Sequence, residues 1–171
     1  MSDEDLRKLD QAGWEHISAG RFDEAESAFR EVLARTDPQN FQRLWLLFGV
    51  LGDVLNSLHR TEEAAEMMRR ALLQAERLGT STTEFHYSRY RLGNHALNFG
   101  SPSDALTELD PIPEGAGHIQ CLMHSVAARA LWKLDRREDA RVTAKRAIDT
   151  APTDERRADL VAELEFVLNA G

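Results

Sequence analysis

The sequence predicts an all-α chain of four helical hairpins in series, followed by a closing helix, and three observations carry that prediction. A small-residue couplet recurs at constant spacing: Gly13 with Ala25, Gly52 with Ala64, Gly93 with Ala105 and Ala128 with Ala140, always 12 residues apart. Each interval holds a pair that should stop a helix: Gly20-Arg21, His59-Arg60, Gly100-Ser101 and Asp135-Arg136. The C-terminal segment from Thr153 carries its apolar residues on one side. Two antiparallel helices approach closely only where side chains are small, so a small residue on each, fixed relative to the turn, marks where they touch.

The hairpins are expected over about residues 3–38, 39–79, 81–111 and 116–151. Ser2, followed by Asp3, Glu4 and Asp5, resembles a capping box opening the first helix, which runs to about Ala19. Gly20 stops it, and Phe22 to Thr36 form the return helix, closed by Asp37-Pro38 because proline disfavours helical geometry in the residue before it. The second hairpin begins near Gln39, turns at His59-Arg60, restarts with Thr61 as a cap for Glu62 and Glu63, and ends at Gly79. Ser81 with Glu84 opens the fifth helix. Ser101-Pro102-Ser103-Asp104 combines a cap, proline at the first helical position and a capping acid. Asp110-Pro111-Ile112-Pro113 cuts the sixth helix short, and Gly115 and Gly117 prolong the irregular stretch. The seventh and eighth helices cover about Ala116 to Lys133 and Arg136 to Thr150, ending before Pro152.

The last segment, about 153–170, has apolar Leu160, Val161, Leu164, Val167 and Leu168 against charged Glu155, Arg156, Arg157, Glu163 and Glu165. A stack of hairpins needs a terminal element with a wet outer face, so this helix is expected to cap the array and complete it.

Composition narrows the class. With 171 residues, 42% of them hydrophobic, the chain can bury a core as one domain. Its net charge of -8 repels phosphate backbones, which argues against nucleic acid as a partner. The single Cys121 permits no internal disulfide. The acidic, polar N-terminal stretch lacks the basic and apolar regions of a signal peptide. The longest apolar stretch, Leu44 to Leu51, is far short of the roughly 20 residues a membrane helix needs. A cytoplasmic protein without membrane association is expected.

The repeat also resembles a known family, the tetratricopeptide repeat. The pattern is met by Leu9, Ala12-Gly13, His16, Ala25, Phe29 and Pro38 in the first unit, and by Phe48, Leu51-Gly52, Leu55, Ala64 and Met68 in the second. Leu92-Gly93-Asn94, Ala96, Ala105 and Leu109 continue it, with Arg89 where a large apolar residue is usual, and Ala127-Ala128, Leu131, Ala140, Ala144, Ala147 and Pro152 close it. The alanines lie 39, 41 and 35 residues apart, whereas the family repeat is about 34, so the array is irregular between hairpins. The resemblance implies a right-handed α-solenoid whose first helices line a concave groove that takes a partner peptide or helix.

On that resemblance the groove-facing residues are Arg7, Asp10, Trp14 and Ile17; Leu46, Gly49, Val50, Asp53 and Asn56; Tyr87, Tyr90, Arg91, Asn94 and Asn98; and Leu122, Ser125, Arg129, Trp132 and Lys133. Arg91 and Asn94 match two places of a carboxylate clamp found in some members, but Asp10 and Trp14 replace its first-repeat donors, so a full clamp is not expected.

The third helix has no polar face from Leu44 to Leu51, so something must cover it: either neighbouring hairpins or a partner in the groove. Trp45, Phe48 and Phe29 are assigned to repeat packing. The functional expectation is therefore a non-catalytic adaptor, with a self-assembling homo-oligomeric scaffold as the alternative. A third reading, a metal sensor or enzyme using His118, Cys121 and His124, is disfavoured because side chains three residues apart turn by about 60 degrees per step and fan out. Cys121 reads instead as a small buried apolar residue. No cofactor or metal is expected.

Overall fold

The computed structural model describes residues 3–115 and 117–169, and among these every regular element is a helix. The order is α1 Asp3–Ser18, α2 Phe22–Leu33, α3 Phe41–Ser57, α4 Thr61–Leu78, α5 Thr83–Phe99, α6 Pro102–Leu109, α7 His118–Lys133, α8 Arg137–Asp149, α9 Asp154–Glu163 and α10 Glu165–Leu168. Helices adjacent in sequence pack on one another, most closely α1 on α2, α3 on α4 and α7 on α8. The chain divides into two compact units, Met1–Ser88 and Arg89–Gly171. The cap at Ser2, the start of the seventh helix at Ala116 and the last residue of the closing helix, Ala170, lie outside the described residues.

In the first unit the repeated couplet marks the interhelical contacts. A Cβ built on Gly13 would lie 2.7 Å from Cζ of Phe29, and one on Gly52 would lie 2.8 Å from Cγ of Met68 and 3.3 Å from the carbonyl oxygen of Ala64. Ala25 and Ala64 are fully buried. The partner of each glycine is thus the large residue 16 positions on, with the alanine one turn before it on the same face.

The apolar run of α3 is largely consumed here. Leu44, Leu47, Val50, Leu51, Val54 and Leu55 are buried, with α2 and α4 packed against the helix. Burying a leucine such as Leu51 fully contributes about 1.5–3 kcal/mol. Trp45 is half-buried, and its Nε1 donates to Ser88 Oγ at 2.9 Å, which in turn donates to the Glu84 carbonyl. Of the two coverings open for α3, packing within the unit supplies most, by α4 of its own pair and then by α2.

Two hairpin turns of this unit share one device. Gly20 and His59 take left-handed conformations, with φ of 71° and 60°. In each the next residue reaches back, Arg21 N to His16 O and Arg60 N to Leu55 O, both 2.9 Å. Histidine is one of the few residues other than glycine that enter this region with any frequency. Thr61 does not cap α4. It is the first helical residue, and Arg60 holds the N-cap position without a side-chain cap bond. Arg60 instead bonds Glu63 twice at 2.6 Å and also reaches Glu26 of α2, and that guanidinium holds the Glu63 carboxyl below its ordinary range.

Three further boundaries differ from expectation. Asn40, not Gln39, opens α3 by accepting from Arg43 N at 3.1 Å. The second helix ends at Leu33 and not Thr36, the chain continuing in turns in which the Thr36 hydroxyl donates to Val32 O. The cap before α5 falls one residue later than Ser81, since Thr82 Oγ1 accepts from Phe85 N.

In the second unit a Cβ on Gly93 would meet Cγ of Leu109 at 2.7 Å, and Ala105, Ala128, Ala140 and Ala144 are fully buried. The α7–α8 turn repeats the left-handed device with Asp135 at φ 60° and Arg136 N bonded to Leu131 O. The α5–α6 turn uses another: Ser101 is extended, its hydroxyl accepts from Asp104 N, and Pro102 starts the helix, as expected.

Arg89 explains its own presence where an apolar residue is usual. It is 9% exposed, and its guanidinium donates to Glu108 O at 3.0 Å and Pro111 O at 2.9 Å, tying off the carbonyl end of α6. Burial pulls its pKa below the ordinary value, while Asp110 and Glu108 pull the other way.

The closing segment is two helices, not one. Thr153 caps α9 by accepting from Arg156 N, and the helix breaks at Leu164 before α10. Leu160, Leu164 and Val167 are fully buried against α7 and α8, as the one-sided pattern requires. Val161 is exposed instead.

Candidate functional site

The residues expected to meet a partner fall in both units and find different surroundings. In the first unit, Trp14 on α1 is 41% exposed, its ring edge-on to Phe29 with centroids 5.3 Å apart. It stands over an open depression of about 590 Å³ on α1, bordered by Arg7, Asp10, Gln11, Glu15 and Ser18. Arg7, Gln11, Trp14 and Ser18 follow one another at steps of four, three and four residues, the signature of a single helix face. Gln11 and Ser18 were missed as site residues, although this spacing marks them, and so was Glu15, one turn beyond Gln11. Asp10 is half-buried and ion-paired with Arg43 of α3 at 2.7 Å. An acid at a place where a carboxylate clamp needs a donor is therefore already neutralised inside the unit.

Ile17 and Leu46 are half-buried, and Ile17 packs on the core. Val50 is a core residue and presents almost no surface, because the same apolar run that suggested a groove floor is packed inside the unit. Asp53 is exposed; Asn56 and Tyr87 are half-buried.

In the second unit Tyr90, Arg91 and Asn94 are half-buried on α5, and exposed Asn98 donates to the Asn94 carbonyl at 2.9 Å. Lys133 Nζ donates to Leu97 O at 2.9 Å. Arg129 and Trp132 are engaged by the closing helices. Arg129 lies 3.7 Å from Glu163, which also accepts from Ser125 Oγ at 2.8 Å. The Trp132 ring meets Phe166 edge-on at 5.6 Å and has the Arg137 guanidinium 3.7 Å from its centroid. The sequence places these three on one face of α7, but the packing of α9 and α10 on that face is a tertiary event with no local signal. Phe99, exposed beside His95 with ring centroids 5.2 Å apart, is a large apolar surface residue that the sequence reading also missed.

His118, Cys121 and His124 occupy three different environments. His118 is exposed, and Cys121 sits in the core with its thiol donating to His118 O at 3.0 Å. Burial pushes the Cys121 thiol pKa up, away from reactive thiolate character. His124 is buried and borders a different hollow beside α8. Among the described residues no three histidine, cysteine or carboxylate groups converge as metal ligands, and no helix is long and apolar enough to cross a membrane.

No family model matches the chain, and no curated protein matches it significantly in sequence.

Proposed function

We propose that the chain is a non-catalytic interaction module, a tetratricopeptide-like array of four hairpins that takes a segment of a partner protein on the open faces of its first helices. The observation that carries this reading is Trp14: a large ring, two-fifths exposed, fixed edge-on against a fully buried phenylalanine and surrounded by Arg7, Gln11, Glu15 and Ser18. A rigid aromatic group within a polar rim loses little conformational entropy on binding and is the type of residue that dominates interface energetics. An amphipathic partner helix, with apolar anchors at helical spacing, suits such a face. Exposed Asp53 on α3 extends the proposal to the next first helix of the same unit.

The self-assembly reading drew on the apolar third helix or an end face; Leu47, Val50, Leu51 and Val54 are buried within the first unit, so the third helix itself offers little surface to another copy.

Site-specific photocrosslinking in the native host tests the proposal. A benzoylphenylalanine at position 14, and another at position 53, should give one discrete adduct with the same partner. The same probe at exposed Leu73 on α4 should give none. Adducts of equal yield at all three positions, or none at position 14, would refute it.

A further inference from the structure

The sixth helix is eight residues long, against 12 in α2, 18 in α4 and 13 in α8. Because Asp110-Pro111 ends it early, the ground beside α7 and α8 that a longer helix would cover is left to the irregular stretch after Leu109. Two hollows result, both wholly within the second unit. One, of about 380 Å³, is bordered mostly by apolar Leu106, Leu109, Ile112, Ala127 and Leu131, with Thr107, Asp110 and Arg136 also lining it. The other, of about 710 Å³, is polar and is bordered by Glu114, His124, Arg146 and Asp149. They share Asp110, Ile112 and Ala127, so they form one continuous trough with a greasy end and a charged end.

The trough runs along the side of α7 opposite the partner-facing side. At about 100 degrees per residue, Gln120, His124, Ala127 and Leu131 fall within about 60 degrees of one another, whereas Ser125, Arg129 and Trp132 lie at least about 100 degrees from the centre of that set. It is therefore a separate surface from the one carrying Arg129 and Trp132.

Two features describe its ligand. The charged end holds three carboxylates, Asp110, Glu114 and Asp149, against the one guanidinium of Arg146. Even with the charge of Asp110 drawn toward buried Arg89 behind it, the acidic groups prevail. His124, 8% exposed, borders this end with its Nδ1 making no hydrogen bond. Burial, with Arg146 nearby, pulls its pKa below the ordinary value, which favours the uncharged ring at this end.

We infer that this trough is a second binding site, for a peptide segment in which an apolar side chain enters the bay of Leu106, Leu109, Ile112 and Leu131 while an adjacent lysine or arginine enters among Asp110, Glu114 and Asp149. The apolar bay supplies the area and the carboxylates select the sign of charge. Each basic side chain placed there restores charge balance to a surface that is otherwise acidic.

The test titrates the whole protein with two capped tetrapeptides, acetyl-Leu-Leu-Lys-Arg-amide and acetyl-Leu-Leu-Glu-Glu-amide, followed by amide and imidazole NMR. The basic peptide should move the signals of Ile112, His124, Ala127 and Arg146 and leave the Trp14 indole unmoved; the acidic peptide should move none of them. Charge reversal at two exposed positions, Glu114→Lys with Asp149→Lys, should weaken the basic peptide at least tenfold, and Arg146→Glu should strengthen it. Three outcomes would overturn the inference: preference for the acidic peptide, binding insensitive to the charge reversals, or no perturbation at millimolar peptide. Signals moving only around Trp14 would overturn it too, while leaving the proposed partner surface intact.

Discussion

Gly13 and Phe29 compete for the same space: a Cβ on the glycine would stand 2.7 Å from the Cζ of the ring, which is itself fully buried and pinned at its edge by Trp14. Gly13→Ala would gain up to about 1 kcal/mol of helix propensity but force the ring to move, and overpacking costs about 1–3 kcal/mol. The expected result is a net loss of about 1 kcal/mol, read as a melting temperature lower by about 2–4 °C. Gly13→Ala combined with Phe29→Leu should recover part of that loss. A more stable Gly13→Ala variant would show that the helices are not held at this distance.

The α7–α8 pair has no glycine at the corresponding place, and the residue 16 positions beyond Ala128 is Ala144. Where the partner is only a methyl group, a methyl group fits opposite, and both alanines are fully buried. Ala128→Gly should therefore cost about 1 kcal/mol through helix propensity alone. Chemical denaturation of this variant beside Gly13→Ala would show both losing stability, for opposite reasons. A stabilised Ala128→Gly would contradict the shared register.

Arg89 should be needed for its hydrogen bonds and not for its bulk. Arg89→Met keeps the volume that the repeat pattern wants but removes both donors to Glu108 O and Pro111 O. Bonds from a charged donor contribute about 1.5–3 kcal/mol each to stability, discounted here because Glu108 is only half-buried and Pro111 exposed, so a loss of about 2 kcal/mol is expected. Amide exchange should speed up at Asp110, the last donor to α6. Unchanged stability and exchange would assign Arg89 to packing.

Much of this was legible in the sequence, and the limits have physical causes. The small couplets, the breaks and the Ser101 cap are local and were readable. So is the register that pairs Gly13, Gly52 and Gly93 with Phe29, Met68 and Leu109, each 16 residues on, because the contact needs a residue without a side chain opposite a large one. Thr61 looked like a cap because its side chain is right for one, but the left-handed His59 puts Arg60 at that position. The fate of Arg129 and Trp132 was not readable, because Glu163 and Phe166 reach them only through the docking of α9 and α10.

His124 makes stability depend on pH. Its folded pKa lies below the ordinary 6.5, owing first to burial and then to Arg146, so the unfolded chain binds a proton that the folded chain refuses. Its contribution is therefore complete above pH 6.5 and is lost as pH falls from there through the folded value. His124→Gln should flatten the part of the stability profile below about pH 6.5 that this proton creates. Parallel profiles for the two proteins would contradict the assignment.

Two tryptophans differ in their surroundings. Trp132 is held between Phe166 and Arg137, so Trp132→Ala should cost about 2 kcal/mol of stability, below the 3–5 kcal/mol of a full core truncation. Trp14 touches Phe29 with one edge only, and Trp14→Ala should cost no more than about 1.5 kcal/mol. Calorimetric affinity for the partner segment recovered by crosslinking at position 14 decides the matter. The account expects Trp14→Ala to weaken binding at least thirtyfold, a loss of about 2 kcal/mol, while the protein stays folded; binding unchanged by that substitution would contradict it.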